Sequence, residues 1–235
     1  METIKALTFD TGGTILDWHT GIGSALAAAG GRHGLERDWP AITNDYRTNS
    51  LKAMVNAGTD APATFNIDDV HREQLGEMIA KYDLGAFTAE DRQAIWYTWH
   101  QLDCWPDFPA ALTKLREKFV VASFTILTVS LIVDTAKRNG LSWDAVISCE
   151  MIGTYKTRPK AYQQAAKWLA LEPSEILMVA CHNFDLNAAR DVGFKSAFVR
   201  RPDEWGVTGP PDPKPDDHHD IIADDFPDLA RQLGI

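Results

Sequence analysis

The sequence predicts an α/β protein whose parallel-stranded core carries an inserted block of helices, and two observations lead there. From about residue 107 onward, short apolar runs alternate with single helix-like segments, the pattern of βαβ units joined by right-handed crossovers. Residues 18–102 interrupt that pattern with long amphipathic stretches and no strand-like run. The expected division is a sheet core of residues 1–17 and 103–235, with a helical cap of residues 18–102.

Residues 4–9 read as a buried strand, β-branched and aromatic, that runs straight into turn residues. Within the insertion, helices are expected over 42–56, 70–82 and 89–102. In the last of these, Ile95, Trp96, Trp99 and Leu102 recur at helical spacing. Trp96, Trp99 and Trp105 are assigned to the core of the cap. The second strand covers 119–124 and the helix after it 130–139, stopped by Gly140. A strand at 145–148 and a helix at 159–169 follow, then a strand at 176–180. Residues 186–191 form a helix stopped by Gly193, and 196–199 the next strand. Ile221 and Ile222 add an edge strand before a terminal helix that ends at Leu233. The Pro-rich piece 202–215 reads as an extended surface loop with no packing role, and Trp168 and Trp205 as packing or surface residues.

Composition excludes several function classes. A formal net charge of -10 argues against nucleic acid or an anionic membrane as partner, since phosphate contacts need clustered Lys and Arg. A local cationic pocket for a small anion remains compatible with it. Cys104, Cys149 and Cys181 are widely spaced, without metal-type pairing, and read as reduced thiols. No run of about 18 apolar residues suggests a membrane span, and no signal peptide is recognisable. A cytoplasmic location is the expectation.

Residues able to do chemistry gather at strand ends. Asp10 follows the first strand in Phe9-Asp10-Thr11-Gly12-Gly13-Thr14, and the paired glycines let the backbone turn sharply. Ligands of open α/β sheets collect at the carboxyl ends of strands. Thr125 closes the second apolar run, Lys156 lies in a loop ahead of a helix, and His182 and Asp185 follow the run 176–180.

This order of aspartate, hydroxyl, lysine and acidic residue resembles the haloacid dehalogenase superfamily, and within it the type II L-2-haloacid dehalogenases. The resemblance extends over nearly the whole chain. It implies a Rossmann-like core with a cap, Asp10 as nucleophile, and Thr14, Thr125, Lys156, Tyr162 and Asp185 at the family's motif positions. It also implies that Arg47 holds the departing halide, that Phe184 walls the site, and that the protein is a homodimer. Trp18, Thr11, Thr125, Ile126 and Tyr162 are expected to contact substrate. The partners implied are a small halogenated carboxylic acid and its halide product, with no cofactor and no metal.

The residue types suit that chemistry on their own terms. A carboxylate can displace a leaving group from carbon and form an ester, and an adjacent lysine keeps it ionised. Thr14, Thr125 and nearby backbone amides can orient it or hold a substrate carboxylate. A guanidinium near the leaving atom stabilises developing negative charge.

Departures from the family pattern are equally informative. Superfamily phosphatases carry a second aspartate two residues after the nucleophile. Gly12 stands there and cannot transfer a proton, which disfavours Mg²⁺-assisted phosphoryl transfer. Type II dehalogenases have tyrosine at that place, and asparagine where this chain has Ile126. A neighbouring subgroup has histidine at the place of His182, which makes His182 the expected base for hydrolysis of an ester, with His19, Asp185 or Asp17 as its orienting partner. Hydrolysis of short L-2-haloalkanoic acids is the leading expectation. The alternatives are attack on another carbon–heteroatom bond, a small-molecule phosphatase and a silent binding protein.

Overall fold

The computed structural model describes residues 3–56, 65–207, 209 and 214–235. Six parallel strands, β1 (Ala6–Phe9), β2 (Val120–Thr125), β3 (Ala145–Ser148), β4 (Ile176–Ala180), β5 (Lys195–Val199) and β6 (Ile221–Ala223), form one sheet. Their order is β3-β2-β1-β4-β5-β6. The strand order therefore reverses between β1 and β4, and that crevice is where open α/β sheets bind ligands. Both central strands are buried throughout, as expected for a parallel sheet covered on two faces.

Between β1 and β2 lie α1 (Trp18–Arg32), α2 (Trp39–Asn56), α3 (Ile67–Lys81), α4 (Ala89–Tyr97), a 3₁₀ turn (Thr98–Gln101) and α5 (Phe108–Arg116). After β2 come α6 (Val129–Asn139), α7 (Cys149–Ile152), α8 (Pro159–Leu169), α9 (Asn183–Asp191) and α10 (Phe226–Gln232). The sequence reading misses α1, because its Gly- and Ala-rich composition weakens the apolar periodicity. Trp18, Ile22, Leu26 and Ala29 nevertheless bury one stripe of it. Helix α5 is likewise missed; Pro109 stands in its first turn, where a missing N–H costs nothing.

The inserted helices are tied internally and to the sheet layer by buried polar contacts. Tyr46 donates to the His71 carbonyl at 2.7 Å and accepts from Trp99 Nε1 at 3.2 Å. His100 Nδ1 lies 2.8 Å from Asp134 on α6, and Nε2 3.4 Å from Asp68 on α3. Thr128 donates to Asp68 at 2.8 Å from the other side. Among the described residues, no helix is long and apolar enough to cross a membrane.

The segment 202–215 corrects an expectation. Residues 208 and 210–213 lie outside the described residues, but the first part is anchored rather than free. Glu204 is buried, and the Trp205 carbonyl accepts from Asn44 of α2 at 3.1 Å. A neighbouring clamp secures this segment: Arg201 donates to the Thr14 carbonyl at 2.9 Å and pairs bidentately with Asp107 at 3.0 Å.

Candidate active site

Asp10 stands at the carboxyl end of β1, its N–H donating to Val179 of β4 at 2.9 Å. Its carboxylate is nearly enclosed, and three side chains surround it. Thr14 donates to Oδ2 at 2.8 Å, Lys156 Nζ to Oδ1 at 3.1 Å, and His182 Nδ1 lies 3.4 Å from Oδ2. Burial opposes the charge, yet Lys156, His182 and Thr14 outweigh it and hold Asp10 well below the usual carboxylate range. At neutral pH it is an ionised carboxylate facing an open volume.

Lys156 bridges to the second acid. Its ammonium donates to Asp185 Oδ2 at 2.7 Å, and Tyr162 donates to Asp185 Oδ1 at 2.5 Å. Burial pushes the lysine down, but the two carboxylates raise it above its ordinary value. Asp185 is raised, first by burial and then by Asp10, against the pull of Lys156. This ammonium fills the space between the two carboxylates that a hard divalent cation would need for its oxygen shell. A second cation, Arg47, faces the Gly12 carbonyl. The residues present therefore do not fit a magnesium ion.

His182 belongs to the loop that starts α9. It occupies the N-cap position, yet its side chain makes no capping bond. Instead Nε2 lies 3.1 Å from both oxygens of Glu204. Burial alone would depress the imidazole; Cys181, Glu204 and Asp10 around it hold it well above the ordinary range. The expected orienting partners are thus corrected. Asp17 caps α1 through Thr20 N–H, His19 packs against Gly206, and Asp185 serves Lys156 and Tyr162.

Glu204 is the functional residue that the sequence reading missed, hidden in a segment read as surface loop. Its place shortly after β5, at the same end of the sheet, was the available signal. Gly13 makes its seat: φ is +95°, and a Cβ there would fall 2.0 Å from Glu204 Oε1. Trp18 Nε1 donates to the same oxygen at 3.2 Å.

Arg47 arrives from α2 and is 3% exposed. Its guanidinium lies 5.6 Å from the ring centroids of both Trp18 and Trp99. One weak bond, Nη2 to the Gly12 carbonyl at 3.4 Å, satisfies it only in part, and Nε and Nη1 have no hydrogen-bond partner. A Cβ at position 12 would stand 3.0 Å from Nη2, so the missing side chain makes room for the guanidinium.

These groups meet in a cavity of about 500 Å³. Asp10, Gly12, Arg47, Lys156, His182 and Asp185 belong to its polar lining together with Thr48, Lys52 and Thr157, and Leu51, Met54, Val55, Ile126, Phe184 and Trp205 form its walls. Ile126 and Phe184 thus stand where expected, while Trp205, read as packing or surface, joins them.

Four residues expected to touch substrate lie beneath the cavity instead. Trp18 is fully buried under Arg47 and Trp205. Thr11 donates to Thr125 at 2.6 Å, and Thr125 also accepts from Leu127 N–H; both side chains are buried and neither lines the cavity. Tyr162 positions Asp185. Thr14, by contrast, donates directly to Asp10 and accepts from Cys181 N–H at 3.0 Å.

Comparison with known proteins places this arrangement. The family model described as haloacid dehalogenase-like hydrolase matches residues 4–193. The crystal structure of a defluorinating L-2-haloacid dehalogenase is similar at 34% identity and a TM-score of 0.91, covering 99% of this chain and 96% of that one. An (S)-2-haloacid dehalogenase of Pseudomonas sp. (strain CBS-3) is 25% identical over 99% of both chains. A phosphoglycolate phosphatase of Aquifex aeolicus (strain VF5) is 24% identical over 86% of each. The family-model match spans most of the chain and the whole six-stranded frame except its last two strands, and the chain belongs to the haloacid dehalogenase-like hydrolase family.

Proposed function

We propose that this protein hydrolyses short L-2-haloalkanoic acids to 2-hydroxy acids through an ester on Asp10, without a metal. The observation that carries the reading is the facing pair across the cavity: an ionised carboxylate on one side, a buried guanidinium with two unpartnered donor nitrogens on the other. One Asp10 oxygen attacks C2 from the side opposite the halogen. The carbon–halogen bond breaks, its electron pair leaves with the halide, and Arg47 N–H groups receive the charge. Configuration at C2 inverts.

Water then attacks the ester carbonyl. His182 Nδ1, which faces Asp10, accepts the water proton while Nε2–H donates to Glu204. Esterification has by then removed the Asp10 charge that favours the doubly protonated ring, and the Nδ1 proton has passed to solvent, which frees the lone pair that accepts. Lys156 and Thr14 donate to the carboxylate oxygens and stabilise the tetrahedral oxyanion. Collapse expels the 2-hydroxy acid as its alkoxide, which takes the proton back from His182; the Asp10 carboxyl releases the other water proton to solvent, and one water oxygen remains in Asp10.

The test is turnover of L-2-chloropropionate in H₂¹⁸O. Halide release with label incorporated into Asp10 is the expected result. Absence of halide release from several 2-haloacids by folded protein, or Mg²⁺-dependent release of phosphate from a generic ester instead, refutes the reading. In His182→Ala the ester on Asp10 should accumulate and turnover should fall about 10²–10⁴-fold, the usual contribution of a positioned base. Intact-mass measurement after mixing with substrate reads the adduct.

A further inference from the structure

The Cys181 thiol has no task in the chemistry above, yet it sits against the residues that have one. Sγ lies 3.4 Å from His182 Nε2 and 3.5 Å from Glu204 Oε2, and Nε2 lies 3.1 Å from that oxygen. A sulfur, an imidazole nitrogen and a carboxylate oxygen thus form a nearly regular triangle. Tetrahedral zinc with ordinary bonds to these atoms spaces its ligands about 3.3–3.6 Å apart. Thiolate in the set selects zinc and other soft cations against magnesium or calcium.

We propose that Cys181, His182 and Glu204 form a binding site for a thiophilic divalent cation, zinc above all, which switches the enzyme off. The three ligands are already held. Cys181 N–H donates to Thr14, Trp18 N–H fixes Glu204 above Gly13, and the His182 ring stacks on Phe184 with centroids 5.3 Å apart. His182 also lines the cavity, so an ion entering with solvent reaches the triangle past its ring. On binding, the thiol proton and the Nε2 proton pass to water, and sulfur and nitrogen each give an electron pair to the metal. The metal-bound imidazole then keeps its remaining proton on Nδ1. No lone pair faces the ester, and the hydrolytic half of the reaction stops.

The inhibitory consequence rests on the reading of His182 as base; the metal site does not. Among the described residues Cys104 and Cys149 belong to no comparable cluster, while Asp216, His218 and His219 offer a second, thiol-free one. Titration of the whole protein with Co²⁺ reports the site without turnover. One equivalent per chain should produce a thiolate-to-cobalt charge-transfer band, absent in Cys181→Ala and retained in Cys104→Ala and His218→Ala. Zn²⁺ should inhibit haloacid turnover, reversibly on adding a chelator. Cys181→Ala should need about a hundredfold more zinc for the same fractional inhibition of its own zinc-free rate. A cobalt complex without a thiolate band, or zinc inhibition unchanged in Cys181→Ala or lost in His218→Ala, overturns the proposal. A thiolate band in a protein that turns over no haloacid leaves the metal site standing and refutes the dehalogenase reading instead.

Discussion

Where the sheet ends meet the cavity, every ionised group has a partner, and where α2 meets it, Arg47 has almost none. Asp10, Lys156, Asp185 and Tyr162 form a closed chain of contacts between 2.5 and 3.1 Å. Arg47 is just as buried but leaves two nitrogens unbonded. The first side is complete without ligand, so its charges are fixed in place before substrate arrives. The second side holds a buried cation that is short of hydrogen bonds, which Glu204 and Asp10 compensate only through space. The proposed reaction needs both sides, whereas stability should rest on the first.

Lys156→Met breaks the satisfied side and carries the largest expected effect. It leaves two carboxylates facing each other without a cation. Stability should drop by about 3–5 kcal/mol in urea unfolding, and haloacid turnover should fall below detection. Arg47→Met strikes the other side and should separate the two properties. Turnover should fall about 10²–10³-fold, while stability stays unchanged or rises by about 1–2 kcal/mol, because an unpaired buried charge is removed. A stability loss comparable to that of Lys156→Met would mean that Arg47 is satisfied after all.

A halide should supply what Arg47 lacks. In a bromide titration followed by thermal unfolding, the wild type should gain about 1.4 kcal/mol when bromide reaches ten times its dissociation constant. The Arg47→Met variant should not share that gain.

The smallest effect concerns the tie between the insertion and α6. Burial depresses His100, but Asp68 and Asp134 outweigh it and raise it above the ordinary imidazole value. A raised histidine stabilises the fold fully below its unfolded value near 6.5, and that contribution is lost as pH rises through the folded value. The tie should therefore weaken on going from acid to mildly alkaline pH, by the about 0.5–1 kcal/mol of a partly exposed ion pair. His100→Gln should flatten the pH dependence of unfolding over that range.

Most of the sheet was legible because its signals are local. Each strand is a short apolar run bounded by turn residues, and strands 145–148 and 176–180 fall on the observed bounds. Asp10 and Asp185 could be picked out because each follows such a run, and Lys156 because the family resemblance singles out its loop. Helix α1 was not legible, since alanines and glycines give little periodicity to read. Thr11, Thr125 and Tyr162 were placed near the right chemistry but one layer too high. Sequence position brings a hydroxyl to a strand end without saying whether it faces the cavity or the layer below.

The sequence by itself determined an α/β fold with helices inserted after the first strand, a carboxylate at the end of that strand, and, through Gly12, no second carboxyl group two residues further on. These are consequences of residue type and of spacing along the chain. The tertiary structure alone decided the company of His182. Glu204 lies 22 residues away, and it reaches the ring because the segment after β5 folds back over Gly13. The same closure brings Cys181 into line with both. Burial then gives these contacts their strength, since charges and donors that water would screen interact strongly only when enclosed together.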